Sequence, residues 1–530
     1  MGACKSVARR YCSLAWRFVS KTDSGESKEL ENVVTNVNLE LENVVTNVNL
    51  ELENVVTNVN LELENSDKNV NLELENLDKN VNLELEKLDK NVNQKPEPEN
   101  AVKVKAVDHG KIVIALDIGT KNMGYAFSCQ TRKNKIYTAK NSSSPQSNRM
   151  PTAVLLNDDL SLNSIGFAAV SNHTKVVLKK LHSNHLYFRQ FRLEHSKQEK
   201  MDSEGHVSGE KIVCHIMEVL KRNAFETIRT SLYCEGEHIA KHTEWVLTTP
   251  NDITKEAENA VLRAAQKAKL GRRNLVRESD AAALYCQRKQ LMITRQNDII
   301  NMSKGQRFVL ADLGAGKTVI SVYEVMTDGK PKMRNYISAN VGGNSVNEDF
   351  EQFMEMICGS SSWNEFRINH VYDYETLMSL FEDEKVKFDN DTECIVLTLS
   401  QHLLGIINAN ENFSLKERIE ANRDLLDKAE LIEEKLFIYR NQMKTYFTRS
   451  LQVILENLER ISEDFTKEDL LKLLFIGGFS ASMFIRTKLK EECQSFDIAF
   501  VQDPEMVVLK GAVLVGLENI LPTYLKNKQK

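Results

Sequence analysis

Three segments that lie far apart in the chain share one pattern of hydrophobic and polar positions. Each is an apolar run ending in a glycine-containing turn: KIVIALDIGTKNMGYAFS at 111–128, RFVLADLGAGKTVISVYEV at 307–325 and LKLLFIGGFSASMFIRTKL at 471–489. Continuous β-branched and aliphatic runs predict strands with one or both faces buried. We therefore expect strands at 112–116, 124–128, 308–312, 319–325 and 473–476, and another at 153–156.

Helical periodicity occupies much of the chain between these strands. The stretch 255–269 places Ala257, Val261, Ala264, Ala265 and Ala268 on one face, which is typical of an amphipathic helix. Further helices are expected around 346–357, 372–381, 414–422 and 442–458.

A repeat with a period of eleven residues precedes the first strand. ELENVVTNVNL occurs at 29–39, 40–50 and 51–61, and variants continue to residue 94. An eleven-residue period is close to three helical turns, which favours a long helix or coiled coil over 23–94 that could self-associate. Asn and Val are poor helix formers, however, and VNLELE alternates like a strand. A partly disordered spacer is therefore the alternative, and prolines in QKPEPEN open a linker at 95–110.

Composition and charge exclude several classes of protein. The net charge of −6, without a basic stripe, argues against a nucleic-acid partner. The nine cysteines include no C-x-x-C pair, which favours a reducing compartment. No apolar run is long enough to span a bilayer, and no secretory signal is evident, so we expect a cytoplasmic protein.

The tail at 1–22 carries a pattern for lipid attachment. MGACKS fits N-myristoylation at Gly2, and Cys4 and Cys12 are candidates for palmitoylation near three arginines. One acyl chain binds membranes only marginally, so a second signal would be needed for contact with a membrane surface. A frayed terminus that happens to begin with Met-Gly is the alternative.

The strand ends carry candidate chemistry. Asp117 and Asp312 each end an apolar run and are followed by Gly119 and Gly314. A glycine turn lets the backbone approach a phosphate closely, and a neighbouring carboxylate can hold Mg²⁺ through water. The third turn has no acid, and its glycine pair would admit a flat group. Two phosphate-binding turns followed by one nucleoside-binding turn predict a split nucleotide cleft.

The order DIGT, DLGAGKT, IGGFSAS resembles the actin-like ATPases and, within them, the 70-kDa heat-shock proteins. The stretches at 149–156, 186–193, 244–270, 277–289 and 503–517 are similar to the heat shock 70 kDa protein 12 subfamily. The resemblance covers about residues 111–520. It implies an α/β fold, the two-lobed actin-like (ribonuclease H-like) ATPase fold, with lobe I at 111–305, lobe II at 306–520 and a tail at 521–530.

The resemblance also implies a site for ATP or ADP with Mg²⁺. Asp117 and Asp312 would hold Mg²⁺ through water. Glu278 would lie near the attacking water, although an ordinary acid at a helix N-terminus is the alternative for it. Glu382 and Lys385 would contact the adenosine, although an ordinary surface ion pair is the alternative for them. The remaining cofactor-binding positions are Gly119, Thr120, Lys121, Gly314, Ala315, Gly316, Lys317, Thr318, Gly342, Gly343, Gly477, Gly478 and Phe479.

The sequence departs from the family at several of these positions. Lys121 and Lys317 replace hydroxyl residues, and would either face the phosphates or point into solvent. The family's catalytic lysine aligns near Val170, an acid near Val319 and an adenine-stacking arginine near Ala481. Each loss lowers the expectation of hydrolysis more than that of binding, because phosphoryl transfer depends on positioned charge.

Two other interpretations of local motifs are weaker. GAGKT resembles a P-loop, but Ala311 stands where the pattern needs glycine, and the turn precedes a strand-like run. The pairs His182/His185 and His238/His242 have ligand-like spacing, but no third ligand lies nearby in the sequence.

These observations predict a chaperone-like ATP-binding protein with weak or slow ATPase activity. Only thirteen residues follow Leu517, so we expect no peptide-binding domain. The alternative is a non-hydrolysing, nucleotide-dependent scaffold. A protein partner or client is expected in either case, but the sequence does not identify it.

Overall fold

The computed structural model describes residues 109–139, 149–178, 185–190, 207–232, 234, 236–289, 291–292, 299–300, 302–410, 414–463 and 472–520. Several sequence-based predictions lie outside these residues. They are the acylated tail with Gly2 and Cys4, the repeats at 23–94, most of the linker, His182 and the tail at 521–530.

The first apolar run forms the centre of a mixed sheet. Its strands are β1 (Ile112–Ile118), β2 (Asn122–Cys129), β3 (Tyr137–Thr138), β4 (Met150–Pro151), β8 (Thr243–Thr249) and β9 (Arg272–Arg277). Their order is β3-β2-β1-β8-β9, and β4 pairs with β2. β1 and β2 form an antiparallel hairpin, whereas β8 and β9 continue the sheet in parallel. We call this the first sheet.

The second and third runs meet in a sheet with the same plan. Its strands are β12 (Arg307–Leu313), β13 (Thr318–Val325), β14 (Pro331–Ala339), β18 (Lys472–Ile476) and β19 (Asp497–Phe500), in the order β14-β13-β12-β18-β19. β12 and β13 form the hairpin, and β18 and β19 are parallel to β12. We call this the second sheet. An antiparallel meander extended by parallel strands therefore occurs twice, which confirms the two-lobed actin-like α/β fold.

The other described strands form three smaller sheets. One contains β5 (Ala153–Asn157), β6 (Leu162–Ile165) and β7 (His185–Arg189), in the order β6-β5-β7. Another contains β15 (Cys394–Thr398), β16 (Ala429–Ile432) and β17 (Lys435–Tyr439), in the order β15-β17-β16. β10 (Leu291–Met292) pairs with β11 (Ile299–Ile300). All the strands predicted from the apolar runs are present.

Five helices precede β10 in the part of the chain that the structure describes. They are α1 (Gly166–Leu178), α2 (Gly209–Leu232), α3 (Gly236–His242), α4 (Lys255–Lys267) and α5 (Glu278–Arg288). The predicted helix at 255–269 is α4. The hydroxyl of Thr254 caps it by accepting a hydrogen bond from the Ala257 N–H. Its buried face includes Ala264 and Ala265, as the periodicity predicted.

Nine helices follow β14 among the described residues. They are α6 (Gly343–Cys358), α7 (Ser360–Asn369), α8 (Val371–Lys387), α9 (Gln401–Asn410), α10 (Leu415–Ala421), α11 (Arg423–Leu426), α12 (Arg440–Glu463), α13 (Met483–Glu492) and α14 (Val507–Leu517). Short 3-10 turns lie at Gln130–Arg132, Gly478–Ala481 and Pro504–Met506. None of the helices in the described part of the chain has both the length and the apolar character needed to cross a bilayer.

Helices α5 and α14 each cover the sheet of the other half. Helix α5 follows the first sheet in the chain, yet its Ala282 and Cys286 are buried in a cluster with Phe308 of the second sheet. Helix α14 follows the second sheet, yet its Leu509 and Ala512 are buried in a cluster with β1, β8 and β9. The two helices meet at Gly511, where a Cβ would lie 1.9 Å from the carbonyl oxygen of Ala281. Only glycine allows this close approach.

Candidate functional site

The three glycine turns meet around one cavity of about 440 Å³. It lies between the carboxyl-terminal end of β1 and that of β12, and α8 contributes to its wall. Sixteen of the eighteen predicted catalytic and cofactor-binding residues line it: Asp117, Gly119, Thr120, Lys121, Glu278, Asp312, Gly314, Ala315, Gly316, Lys317, Gly343, Glu382, Lys385, Gly477, Gly478 and Phe479. Sequence segments up to 360 residues apart are thus brought to one place.

The other two predicted residues lie behind the cavity wall. The buried Thr318 hydroxyl donates to the carbonyl oxygen of Val341 at 2.9 Å. A Cβ at Gly342 would lie 2.3 Å from the carbonyl oxygen of Gly314. Both residues therefore hold the turn before α6 against the β12–β13 hairpin.

The two hairpin turns have matching geometry. The Gly119 N–H donates to the Asn122 carbonyl at 3.1 Å, and the Gly314 N–H donates to the Lys317 carbonyl at 2.9 Å. A Cβ at Gly119 would lie 2.9 Å from the first oxygen, and one at Gly314 would lie 2.7 Å from the second. Glycine is thus needed in both turns for close backbone approach, as the repeated Asp-x-Gly pattern suggested.

Asp117 is held by groups that the sequence did not single out. Its carboxylate is buried, pairs with the Arg149 guanidinium and accepts a hydrogen bond from the Thr248 hydroxyl. Arg149 also donates to the carbonyl oxygens of Asn122 at 2.9 Å and Glu505 at 3.0 Å. Arg149 therefore fixes the carboxylate and joins the first hairpin to the segment that precedes α14.

Asp312 is the second carboxylate of the cavity. Its pKa is raised to about 7, chiefly by burial and also by the negative charge of Asp117, while the positive charge of Arg149 offsets part of the rise. Two carboxylates that repel each other beside a cavity form a donor set that suits a divalent cation, because the cation removes the repulsion.

Lys121 and Lys317 each reach across the cavity. Lys121, in the β1–β2 turn, forms an ion pair with Glu382 of α8 at 2.6 Å. Lys317, in the β12–β13 turn, pairs with Asp252, which follows β8. The two substitutions thus create reciprocal ion pairs between the first-sheet and second-sheet halves. Neither side chain points simply into solvent, since their exposed fractions are 30% and 15%.

Lys385 is committed to protein acceptors. Its ammonium donates to the Gly343 carbonyl at 3.0 Å, Asn347 Oδ1 at 2.8 Å and Glu382 Oε2 at 2.6 Å. Burial lowers the pKa of Lys385 to about 8, although the charge of Glu382 opposes this. Burial alone would raise the pKa of Glu382, but the charges of Lys385 and Lys121 hold it at about 2. An ammonium has three donors, so Lys385 fixes the turn before α6.

The third glycine turn has two residues with different surroundings. Gly477 has φ 82°, and a Cβ there would lie 2.4 Å from Asp312 Oδ1 and 2.5 Å from the Leu313 carbonyl oxygen. A Cβ at Gly478 would meet no heavy atom within 4 Å. The Phe479 ring is buried and stacks on Phe447 with the ring centroids 6.3 Å apart. Gly477 therefore packs against β12, whereas Gly478 leaves room in the cavity.

The departures from the family fall in two places. Val319 and Ala481 line the cavity, so apolar side chains stand where the resemblance implied charged ones. Val170 lies on α1, packed against β5, and is not among the cavity-lining residues. The GAGKT turn leads into strand β13 rather than a helix, which excludes a P-loop.

The comparisons with known proteins agree with the resemblance. No family model matches the chain. Human heat shock 70 kDa protein 12A is 21% identical over 476 residues, covering 77% of this chain and 69% of that protein. Human heat shock 70 kDa protein 12B is 22% identical over 502 residues, covering 80% of this chain and 71% of that protein. The chain is therefore related to heat shock 70 kDa proteins 12A and 12B, as predicted.

Among solved structures, MreB5 of Spiroplasma citri bound to ADP is similar with a TM-score of 0.47 and 13% identity. The similarity covers 79% of this chain and 99% of that chain.

Proposed function

We propose that this protein binds ATP or ADP, together with Mg²⁺, in the cavity between its two sheets. The observation that carries the proposal is the convergence of three glycine turns from distant segments on a single cavity with two carboxylates. The relation to the heat shock 70 kDa proteins 12A and 12B supports the same conclusion, as does the repeated sheet. The lobes would correspond to residues 111–305 and 306–520.

The residues present fit such a ligand. Ala315 and Gly316 have little or no side chain, so a phosphate can approach the backbone of their turn. Gly478 leaves space for a flat group beside the third turn. Asp117 and Asp312 would hold Mg²⁺ through water, and the cation would neutralise phosphate charge when bound. Glu278, the first residue of α5, would orient a water molecule from the cavity wall.

We propose that hydrolysis is slow. Asp117 is already bound by Arg149 and Thr248, which lowers its capacity to take part in proton or water positioning. Val319 and Ala481 supply no charge to the transferring phosphoryl group. Since a single positioned charge is commonly worth orders of magnitude in rate, these features favour binding over turnover.

A second candidate function is that of a nucleotide-dependent scaffold without hydrolysis. It is favoured by the ion pairs Lys121–Glu382 and Lys317–Asp252, which join the two halves across the cavity through protein groups alone. A nucleotide that competes for either lysine would change how the halves are held, and a partner could sense this change. The partner itself is a prediction, as are the cytoplasmic location, the membrane contact through Gly2 and Cys4, and self-association through the repeats.

Nucleotide binding and single-turnover hydrolysis on the full chain test both candidates. At a hundredfold excess over the dissociation constant, Mg-ATP should stabilise the fold by about 2.7 kcal/mol. Binding followed by slow formation of ADP supports the first candidate, and binding without ADP supports the second. Absence of nucleotide stabilisation, in an assay where a control ATPase responds, contradicts both.

Gly478→Val and Gly405→Val provide a matched pair for the binding assay. A Cβ at either glycine would meet no heavy atom within 4 Å, but only Gly478 lines the cavity. The first change should lower the affinity for Mg-ATP and the second should not.

A further inference from the structure

A second group of potential ligands lies away from the cavity, where three helices meet. His370 stands between the end of α7 and the start of α8, Asp373 lies in the first turn of α8, and His402 lies in the first turn of α9. Each offers one ligand atom, and these atoms lie within 4.8 Å of one another. No other group of three or more such side chains occurs among the residues that the structure describes. None of the three lines the nucleotide cavity.

We propose that His370, Asp373 and His402 bind a divalent transition metal, with Zn²⁺ as the ion that fits best. Two imidazole nitrogens and one carboxylate oxygen are a common set of three protein ligands for Zn²⁺ with an open fourth position. Mg²⁺ and Ca²⁺ prefer oxygen ligands throughout, so they match this set poorly. The site is distinct from the one proposed for Mg-nucleotide, which offers carboxylates.

Contacts within the protein already position the three proposed ligands. The His402 Nδ1 atom lies 2.8 Å from Asp373 Oδ2. The His370 and His402 rings are stacked, with their centroids 4.5 Å apart and an interplanar angle of 29°. The backbone N–H of His370 donates a hydrogen bond to the carbonyl oxygen of Phe366 at 2.9 Å. The carbonyl oxygen of His370 accepts one from the backbone N–H of Tyr374 at 3.0 Å. The backbone of His370 is thus held by both adjoining helices.

The adjustment needed to bind a metal is small. Tetrahedral zinc with ligand distances of about 2.0–2.1 Å places its ligand atoms about 3.3 Å apart. The distance of 2.8 Å between His402 and Asp373 must open by about 0.5 Å, and separations of up to 4.8 Å must close by about 1.5 Å. The His402 side chain can supply it, because 65% of its surface is exposed and its ring can rotate. The same exposure gives the ion and a bound water access from solvent.

A metal at this position would act on the helix that faces the cavity. It would tie α9 to the first turn of α8. Glu375 and Glu382 lie further along the same helix α8. Glu375 pairs with Arg189 of β7, and Glu382 pairs with Lys121. Both pairs join the second-sheet half to the first-sheet half, so the metal would fix the start of the helix that makes these connections.

The test is zinc titration of the metal-free full chain against a chromophoric chelator. We expect binding that His402→Ala weakens at least about 100-fold, since loss of even an outer-shell partner costs about 10–100-fold. His370→Ala should have the same effect. Circular dichroism checks that each variant is folded, and His402→Gln provides a conservative second variant at the exposed position.

Two matched controls separate this site from other zinc-binding groups. His238 and His242 also stack, with centroids 4.1 Å apart, so His242→Ala removes a comparable histidine and should leave zinc binding unchanged. Asp312→Asn should also leave it unchanged, which excludes the nucleotide cavity. Cobalt substitution should give d–d bands without a thiolate charge-transfer band, which excludes cysteine ligands.

Equal zinc affinity of the wild-type chain and folded His402→Ala would overturn the proposal, as would absence of binding at micromolar free zinc. In either case His402 and Asp373 form a hydrogen bond only. These outcomes are independent of nucleotide binding, which is measured separately.

Discussion

Replacing Asp312 by asparagine should make the nucleotide-free protein more stable at neutral and alkaline pH. Burial and the charge of Asp117 raise the pKa of Asp312 from 3.8 to about 7. Below pH 4 the carboxyl group of Asp312 is protonated in both the folded and the unfolded state, so it does not lower the free energy of unfolding. Between pH 4 and 7 only the unfolded state has lost the proton, and the free energy of unfolding therefore falls as pH rises. Above pH 7 the carboxylate is charged in both states, and the free energy of unfolding is lowered by the full amount.

The size of this effect follows from the shift. A rise of about three pKa units corresponds to about 4 kcal/mol for a dry site. The Asp312 side chain is partly accessible from the cavity, so solvent screening reduces this value, and we expect a gain of about 2 kcal/mol for Asp312→Asn at pH 8. For about 400 folded residues, the scaling of unfolding entropy with size converts this to about 2 °C in the melting temperature.

Differential scanning calorimetry of the full chain at pH 4.5 and pH 8 measures the effect. Asp328→Asn is the matched control, because Asp328 is exposed in the β13–β14 turn and accepts a backbone hydrogen bond that asparagine can also accept. The gain should appear at pH 8 and largely vanish at pH 4.5, and Asp312→Asn should lose stabilisation by Mg-ATP. If the wild-type protein and Asp312→Asn melt at the same temperature at pH 8, or if the gain does not depend on pH, the raised pKa of Asp312 is refuted.

Three further changes test other parts of the structure. Gly478→Val fills cavity space and should lower the affinity for Mg-ATP at least about tenfold by isothermal titration, at an unchanged melting temperature; equal affinity would remove the third turn from the site. Gly511→Ala places a methyl group 1.9 Å from the carbonyl oxygen of Ala281 and should cost about 3 kcal/mol or more in a urea titration, whereas a neutral effect would contradict the close helix contact. Lys317→Ala removes one ion pair across the cavity, so nucleotide release in stopped flow should become faster and less dependent on salt; an unchanged rate would show that this pair does not hold the halves together.

The sequence predicted those features that short segments determine alone. The β1–β2 and β12–β13 hairpins, with Asp117 and Asp312 at the strand ends, follow from apolar runs that stop at glycine. The helix α4 follows from the periodicity of its apolar residues. The roles of the cavity residues in binding and hydrolysis stay predictions, as do the domain boundaries.

Features made by long-range pairing could not be predicted in this way. Arg149 precedes a two-residue strand, and nothing local indicates that β4 pairs with β2 and brings its guanidinium to Asp117. Thr248 lies at the end of β8, and only the parallel pairing of β8 with β1 brings its hydroxyl to Asp117. The resemblance implied a catalytic lysine near Val170, but this residue lies on α1, packed against β5, and is not among the residues that line the cavity.

The candidate metal ligands illustrate the same limit. Sequence spacing drew attention to His238 and His242, which lie one helical turn apart. The candidate metal-binding group consists of His370, Asp373 and His402. These residues come together only because α9 packs beside α8. Spacing along one helix is visible in a sequence, whereas the meeting of two helix ends is not.

The exchange of α5 and α14 between the two sheets has a consequence for how the chain is made. When the ribosome has completed β9 at Arg277, the face of the first sheet that α14 covers still lacks its partner. That partner begins at Val507, about 230 residues later, which at about 5–20 residues per second is a delay of about 10–50 s. During this time the apolar side chains of β1 and β8 on that face remain accessible to chaperones or to other nascent chains. The first sheet therefore reaches its final burial only after α14 has been synthesised, long after its own strands have left the ribosome.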